Sequence, residues 1–232
     1  NQYTDPIRGL QFNSTITLPS VLFNFNRMCI GLINTSRVYA DGYDIPNFFN
    51  YSNLKNLINF RNYQINPFNI NAMAWSEIGL NLAYQHTLNN DNALAIGVNI
   101  KYLLGHEAYY LQNKTNYDFT KEFDTFNGET ANLTLGFASG ISKTNNSYKF
   151  GVNGTGIGFD IGMEYLIPND DEESNINYKM KIGGSLRDLG VITFNKNAEE
   201  HNYTINDIPF ETYNFVMRGK ANNYQPLQRV SY

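Results

Sequence analysis

The sequence predicts an all-β fold, an antiparallel transmembrane β-barrel of the outer-membrane type with two long structured loops. The stretch 154–167, GTGIGFDIGMEYLI, carries the clearest signal. Ile157, Phe159, Ile161, Met163, Tyr165 and Ile167 form one row, and Gly156, Gly158, Asp160, Gly162 and Glu164 form the other. A period of two is a strand. A soluble sandwich turns its apolar face inward, whereas a membrane barrel turns it to lipid and gives the small and charged face to the lumen. The same division recurs along the chain. No apolar run reaches the roughly 18 residues of a membrane helix, but a barrel strand needs only about 9–11, alternately apolar.

Taken in order, residues 9–18 alternate Phe12, Ile16 and Leu18 with Asn13, Thr15 and Thr17, a first strand that ends before Pro19. Residues 23–39 read as one strand, with Met28, Ile30, Leu32 and Val38 on one row and Arg27, Cys29, Gly31, Thr35 and Arg37 on the other. Residues 43–71 break the pattern. Within them Ser52 stands as an N-cap before Leu54, Leu57 and Ile58, which suggests a short helix in a long loop. A hairpin follows: Ile78, Leu80, Leu82 and Tyr84 alternate with Glu77, Gly79, Asn81 and Gln85. Leu94, Ile96, Val98, Ile100, Tyr102 and Leu104 then alternate with Gly97, Asn99 and Lys101. Asn89–Asn92 is its turn. Folding about that turn puts Glu77 opposite Lys101 or one pair away on the non-lipid face.

Residues 105–127 read as a second long, aromatic and charged insert. Alternation returns in 131–141 through Leu133, Leu135, Phe137 and Ile141, then in 154–167, then after an acidic turn at 168–175 through Ile176, Tyr178, Met180 and Ile182. Folding this hairpin about its turn places Glu164 across from Lys179, with Asp160 and Lys181 diagonal to each other. Glu77, Lys101, Asp160, Glu164, Lys179 and Lys181 are thus the expected lumen ion-pair residues. Val191–Phe194 continues a strand, 201–207 reads as loop, and 213–217 as a further strand. For the barrel ends to alternate, one more strand is expected between Ser142 and Asn153, around 148–152. Short turns then fall at one end and the long inserts at the other.

Composition narrows the class. Aromatic residues make up 15% of the 232 and charged residues only 16%, so polarity comes from Asn, Ser and Thr, and disorder is excluded. A net charge of −4 argues against a nucleic-acid partner. The single Cys29 leaves no internal disulfide. Residues 1–232 read as one barrel domain.

Candidate chemistry is thin. Gly154, Gly156 and Gly158 lie inside a period-two strand, not between a strand and a helix, so they do not form a phosphate loop. Asp160 and Glu164, four residues apart on one strand face, stand roughly 13 Å apart, too far for a glycosidase pair. His86, His106 and His201 have no partners at metal-ligand spacing, and 170–173 lacks the calcium-loop pattern. No cofactor is expected, and no Ser/His/Asp set reaches motif spacing, so no enzymatic activity is expected.

Four runs occur in order: AWSEIGLNLAYQH at 74–86, GVNIKYLLGHEAYYL at 97–111, NGTGIGFDIGMEY at 153–165 and KIGGSLRDLGVITF at 181–194. Together they resemble an uncharacterised family of Bacteroidota outer-membrane β-barrel proteins, known as a domain of unknown function. The resemblance covers about 9–194 and implies an outer-membrane location, a barrel and no catalytic residues. Its members extend further at both ends, so it also implies a chain incomplete relative to the family or further strands in the polar ends.

The leading functional expectation is a non-enzymatic structural or accessory subunit of a larger outer-membrane complex, such as the type IX secretion and gliding machinery that the resemblance brings in. The bilayer is then one partner, and other outer-membrane or periplasmic proteins bind through loops 43–71 and 105–127. The alternative is a channel or transporter for small or hydrophobic solutes. A soluble, lipocalin-like barrel is the third reading.

Overall fold

The computed structural model describes residues 6–7, 9–46, 58–88, 91–122, 125–128, 131–141, 147–169, 178–205, 208–209, 221–225 and 230–231. Among these every regular element is a strand, and every pairing is antiparallel. In chain order they are β1 (Pro6–Ile7), β2 (Leu10–Thr17), β3 (Val21–Phe25), β4 (Met28–Tyr43), β5 (Ile45–Pro46), β6 (Asn62–Ile65), β7 (Phe68–Thr87), β8 (Ala93–Asn113) and β9 (Tyr117–Glu122). There follow β10 (Thr125–Gly128), β11 (Ala131–Ala138), β12 (Gly154–Pro168), β13 (Tyr178–Phe194), β14 (Ala198–Ile205), β15 (Ile208–Pro209), β16 (Ala221–Gln225) and β17 (Val230–Ser231).

The main sheet is an up-and-down meander whose rows are longer than the separate strands suggest. β2 and β3 pair end to end along β4, so they form one row interrupted at Leu18–Ser20, where Pro19 removes a ladder donor. β11 and β12 likewise pair end to end along β8, Ala138 opposite Ala108 and Gly154 opposite Gly105. β13 and β14 continue that arrangement on β12 and β11. The order across the sheet is therefore β2/β3, β4, β7, β8, β11/β12, β13/β14, with the short β17 and β16 outermost along β13 and β14. Among the described residues this sheet curls as a half-barrel and does not close into a full one.

Several expectations change. Residues 23–39 are not one strand: a turn at Asn26–Arg27, with Asn26 at φ 52°, makes them a hairpin of β3 and β4. The stretch 105–127 is not a loop, since β8 runs on to Asn113 and β9 follows. Likewise 43–71 gives up its ends to β4 and β7 and contains β6. In both cases the outward alternation changes parity at a bulge or shifts to aromatic residues, which hides the strand. Residues 201–205, read as loop, belong to β14. The helix expected after Ser52 and the strand expected at 213–217 lie, wholly or nearly so, outside the described residues. No strand is needed at 148–152: the described part of 139–153 is an excursion between two halves of one row, held by the bridge Ile141–Tyr148.

The connections at Asn26–Arg27, 88–92 and 169–177 fall at one end of the sheet, and those at 44–67 and 114–130 at the other. There β6, β9, β10 and β15 zip into a four-stranded cap in the order β15-β10-β9-β6. Tyr63 and Phe119 stack within it at 5.5 Å between ring centroids.

The two faces separate as the sequence implies. Outward rows carry Met28, Ile30 and Leu32 on β4, Ile78, Leu80, Leu82 and Tyr84 on β7, and Ile96, Ile100 and Tyr102 on β8. They continue with Ile157, Phe159, Ile161 and Met163 on β12. Ile157 is 70% exposed and Phe159 50%. The buried apolar residues lie instead on the concave side, where Leu103, Ile192 and Phe194 pack together beside Trp75. Glycine makes that packing possible. A Cβ at Gly156 would stand 1.9 Å from the Val191 carbonyl oxygen, and one at Gly105 2.6 Å from the Phe194 ring.

The excursion at 139–153 is pinned to β8. The Gly140 amide donates to Glu107 Oε1 at 3.0 Å, and the Tyr109 hydroxyl lies 2.8 Å from Glu107 Oε2. Burial raises the Glu107 carboxyl, but the Gly140 amide and the hydroxyls of Ser139, Tyr109 and Tyr148 outweigh it. The net shift is downward from the ordinary glutamate value.

Replacing Gly156 by Ala should weaken β12–β13 pairing and destabilise the protein by about 1–3 kcal/mol in detergent unfolding titrations. Gly184→Ala, where a Cβ meets nothing within 4 Å, should shift stability by no more than about 0.5 kcal/mol. The depressed Glu107 carboxyl implies docking that is fully stabilised above the ordinary glutamate value and lost as pH falls through the lower folded value. Limited proteolysis within 139–153 should accelerate on acidification over that window, and Glu107→Gln should remove the pH dependence.

Candidate functional site

The concave face of a curled sheet is where inward rows from distant strands meet. Inward parity on β4, β7, β8, β12 and β13 brings Arg37, Glu77, Lys101, Asp160 and Asp188 into one cluster. Lys101 Nζ lies 2.7 Å from Asp160 Oδ1, 2.8 Å from Asp188 Oδ1 and 3.7 Å from Glu77 Oε2. Its side chain is only 4% exposed. Arg37 Nη1 reaches Asp188 Oδ1 at 2.9 Å. Arg37 Nε stands 3.1 Å from Glu77 Oε1 at an angle too oblique for a hydrogen bond, so that contact acts through charge.

Neutral donors complete the shell. Trp75 Nε1 donates to Glu77 Oε1 at 2.8 Å, and Thr35 Oγ1 to Glu77 Oε2 at 3.1 Å. Asn99 Nδ2 donates to Asp160 Oδ2 at 3.1 Å, and the Asp188 amide to Asp160 Oδ1 at 2.7 Å. Two cations thus face three carboxylates, and the carboxylates carry further hydrogen bonds. Those are the conditions under which a buried ion network holds.

The expected Glu77–Lys101 contact forms as a diagonal pair, since Lys101 is opposite Gly79 and Glu77 opposite Leu103. Asp160 joins them. Glu164 does not meet Lys179: it lies opposite Gly183 and pairs diagonally with Lys181 at 2.9 Å, both side chains about two-fifths exposed. The connection 169–177 takes up more residues than a fold about the acidic turn assumes, which slides β13 by four positions. Lys179 sits at the register shift beside Pro168, apart from the cluster.

Arg37 and Asp188 were not among the expected site residues. Parity places Arg37 inward with Thr35 and could have found it. Asp188 depends on a bulge: Phe159 pairs with Leu189 but Ile161 with Leu186, so Arg187 and Asp188 together oppose Asp160, with Asp188 at φ 61°. Both then face the concave side, while Leu186 and Leu189 stay outward.

Two cavities flank the cluster. One, of about 460 Å³, has Thr15, Asn81, Asn99, Ser185 and Arg187 in its lining beside Ile33 and Val98. The other, of about 370 Å³, lies toward the cap end and is lined by Tyr39, Met73, Trp75, Leu103 and Ile192. Arg37, Glu77 and Lys101 line both, so the ion network is the partition between them.

The chain belongs to a family of unknown function (DUF5723), whose profile matches residues 4–229. The match extends beyond the 9–194 stretch that carries the resembling motifs. No curated protein and no solved structure matches the chain.

Lys101→Met should leave three carboxylates facing one arginine and cost about 3–5 kcal/mol in unfolding titrations. Lys181→Met, at an exposed pair screened by solvent, should leave the unfolding midpoint nearly unchanged in the same titrations.

Proposed function

We propose that this protein is an outer-membrane β-barrel component whose lumen is closed by its own ion network, and that it serves as a structural or accessory subunit of a larger outer-membrane assembly. The observation that carries closure is the Arg37–Asp188 contact. These residues stand on β4 and β13, four rows apart, yet their side chains meet at 2.9 Å across the concave face. That bridge stands where the two cavities meet, which supports a lumen interrupted at this point.

Membrane placement is supported by the outward apolar rows. Soluble monomers rarely expose a contiguous apolar patch beyond a few hundred Å², and here the patch continues across four adjacent rows, β4, β7, β8 and β12, at matching register. The outward row from Leu94 to Leu104 matches the roughly 9–11 residues of a spanning strand. The subunit reading is supported by the sheet edges. Among the described residues, the outer edge of β2/β3 and most of that of β13 have no pairing strand. Hydrocarbon does not tolerate unpaired backbone groups, so a neighbouring chain that adds strands completes the wall. The cap formed by β6, β9, β10 and β15 lies at the same end as the long connections. The assembly we name for the test is the type IX secretion and gliding machinery.

Purified in mild detergent, the protein should co-purify with other outer-membrane chains, and reconstituted alone in a planar bilayer it should give no stable conductance steps. Arg37→Ser combined with Asp188→Ser should open the partition and produce them. Steady conductance from the unaltered protein would favour the channel reading instead.

A further inference from the structure

The bulge at β7–β8 places chemistry on the opposite, outward face. Ala74 pairs with Glu107 but Trp75 pairs with Gly105, so His106 is an extra residue on β8. Its ring turns outward onto Ser76, 30 positions away in sequence, with Ser76 Oγ 2.8 Å from His106 Nε2. His106 Nδ1 lies 2.8 Å from the Gly151 carbonyl oxygen. A carbonyl can only accept, so Nδ1 carries a proton, and in the singly protonated ring Nε2 is the acceptor. Ser76 must then donate its hydroxyl proton to Nε2. Ser36 Oγ, 3.0 Å from Ser76 Oγ, is left to donate to Ser76 in turn.

Two further contacts hold the imidazole in place. Phe150 stacks on it with ring centroids 4.6 Å apart, and Asn153 Nδ2 bonds the His106 carbonyl. His106 is 9% exposed, while Ser76 remains partly accessible. A serine whose proton is already directed at an oriented neutral imidazole is the arrangement of an activated nucleophile.

Its location selects the substrate. On the outward row of β7, Tyr84, Leu82, Leu80 and Ile78 are apolar and exposed, and Ser76 is the first polar position beyond them, toward the cap end. The border of an apolar band is the depth at which the hydrocarbon meets the polar headgroup region, where acyl ester carbonyls of lipids lie.

We propose that Ser76 and His106 form a nucleophile–base pair that cleaves acyl esters of membrane lipids. Ser76 Oγ attacks the ester carbonyl carbon as its proton passes to His106 Nε2. The acyl carbon–alkoxide oxygen bond breaks, and the proton moves from His106 to the departing lysolipid alkoxide. Water, deprotonated by the same nitrogen, then attacks the acyl-serine, releasing fatty acid and restoring Ser76. The substrate class rests on the lipid-facing reading of the outward rows. The pair itself does not.

The test uses the full chain in detergent micelles with an alkyl fluorophosphonate. Mass spectrometry should find the phosphonyl group on the peptide carrying Ser76, with labelling abolished in Ser76→Ala and slowed at least about 100-fold in His106→Gln. Vesicles of phosphatidylethanolamine and phosphatidylglycerol carrying the protein should release free fatty acid, and the Ser76→Ala protein should not. An unlabelled Ser76 in the unaltered protein, or a rate that His106→Gln does not change, overturns the nucleophile. Labelling of Ser76 without fatty-acid release overturns the lipid ester as substrate and, with it, the use made of the membrane reading.

Discussion

The structure depends on the ammonium of Lys101. It is buried, it touches carboxylates from β7, β12 and β13, and through Glu77 and Asp188 it is tied to Arg37 on β4. An ion out of water costs several kcal/mol unless its partners are close and themselves satisfied. The curl of the sheet provides that closeness, and the network in turn holds the curl. A flatter sheet would carry Arg37 away from Asp188 and leave Lys101 with excess negative charge around it. The apolar outward rows need no such specificity, since under the proposed membrane placement any apolar side chain serves there. Charge therefore fixes the shape, and hydrophobicity fixes the setting.

Bulges give the period-two pattern its exceptions, and each exception re-aims side chains. The one opposite Asp160 lets Arg187 and Asp188 both face the concave side without inverting the apolar row beyond them. The one at His106 turns an imidazole outward while Gly105 stays packed beneath Ile192 and Phe194. Without the first, the ion network loses its bridge across the concave face. Without the second, Ser76 has no base. The excursion at 139–153 belongs to the same design, because Gly151 supplies the carbonyl that sets the His106 tautomer and Asn153 fixes the backbone beside it.

What could be read from the sequence was what obeys a strict period. The rows of 78–84, 94–104 and 157–163, and the diagonal Glu77–Lys101 contact, follow from alternation and a short turn. Contacts that cross a parity change did not: Asp188 at the bulge and Glu164 with Lys181 required a register that the length of 169–177 sets. The end-to-end pairing of β11 with β12 was also hidden, since local pattern does not say that two strands share a row. The Ser76–His106 pair is the extreme case, as neither residue has a neighbour in sequence that suggests it. The four-stranded cap was unreadable for a further reason, because its strands are only two to six residues long, too short for alternation to stand out.

The central claim is that the outward rows contact lipid. Nitroxide labels placed singly at 157–163 on β12, in protein reconstituted into vesicles, report collisions with oxygen and with a water-soluble paramagnetic reagent. The account predicts a period of two, with oxygen favoured at 157, 159, 161 and 163 and depressed at 158, 160 and 162. Equal access of the water-soluble reagent along both rows, without alternation, would contradict it.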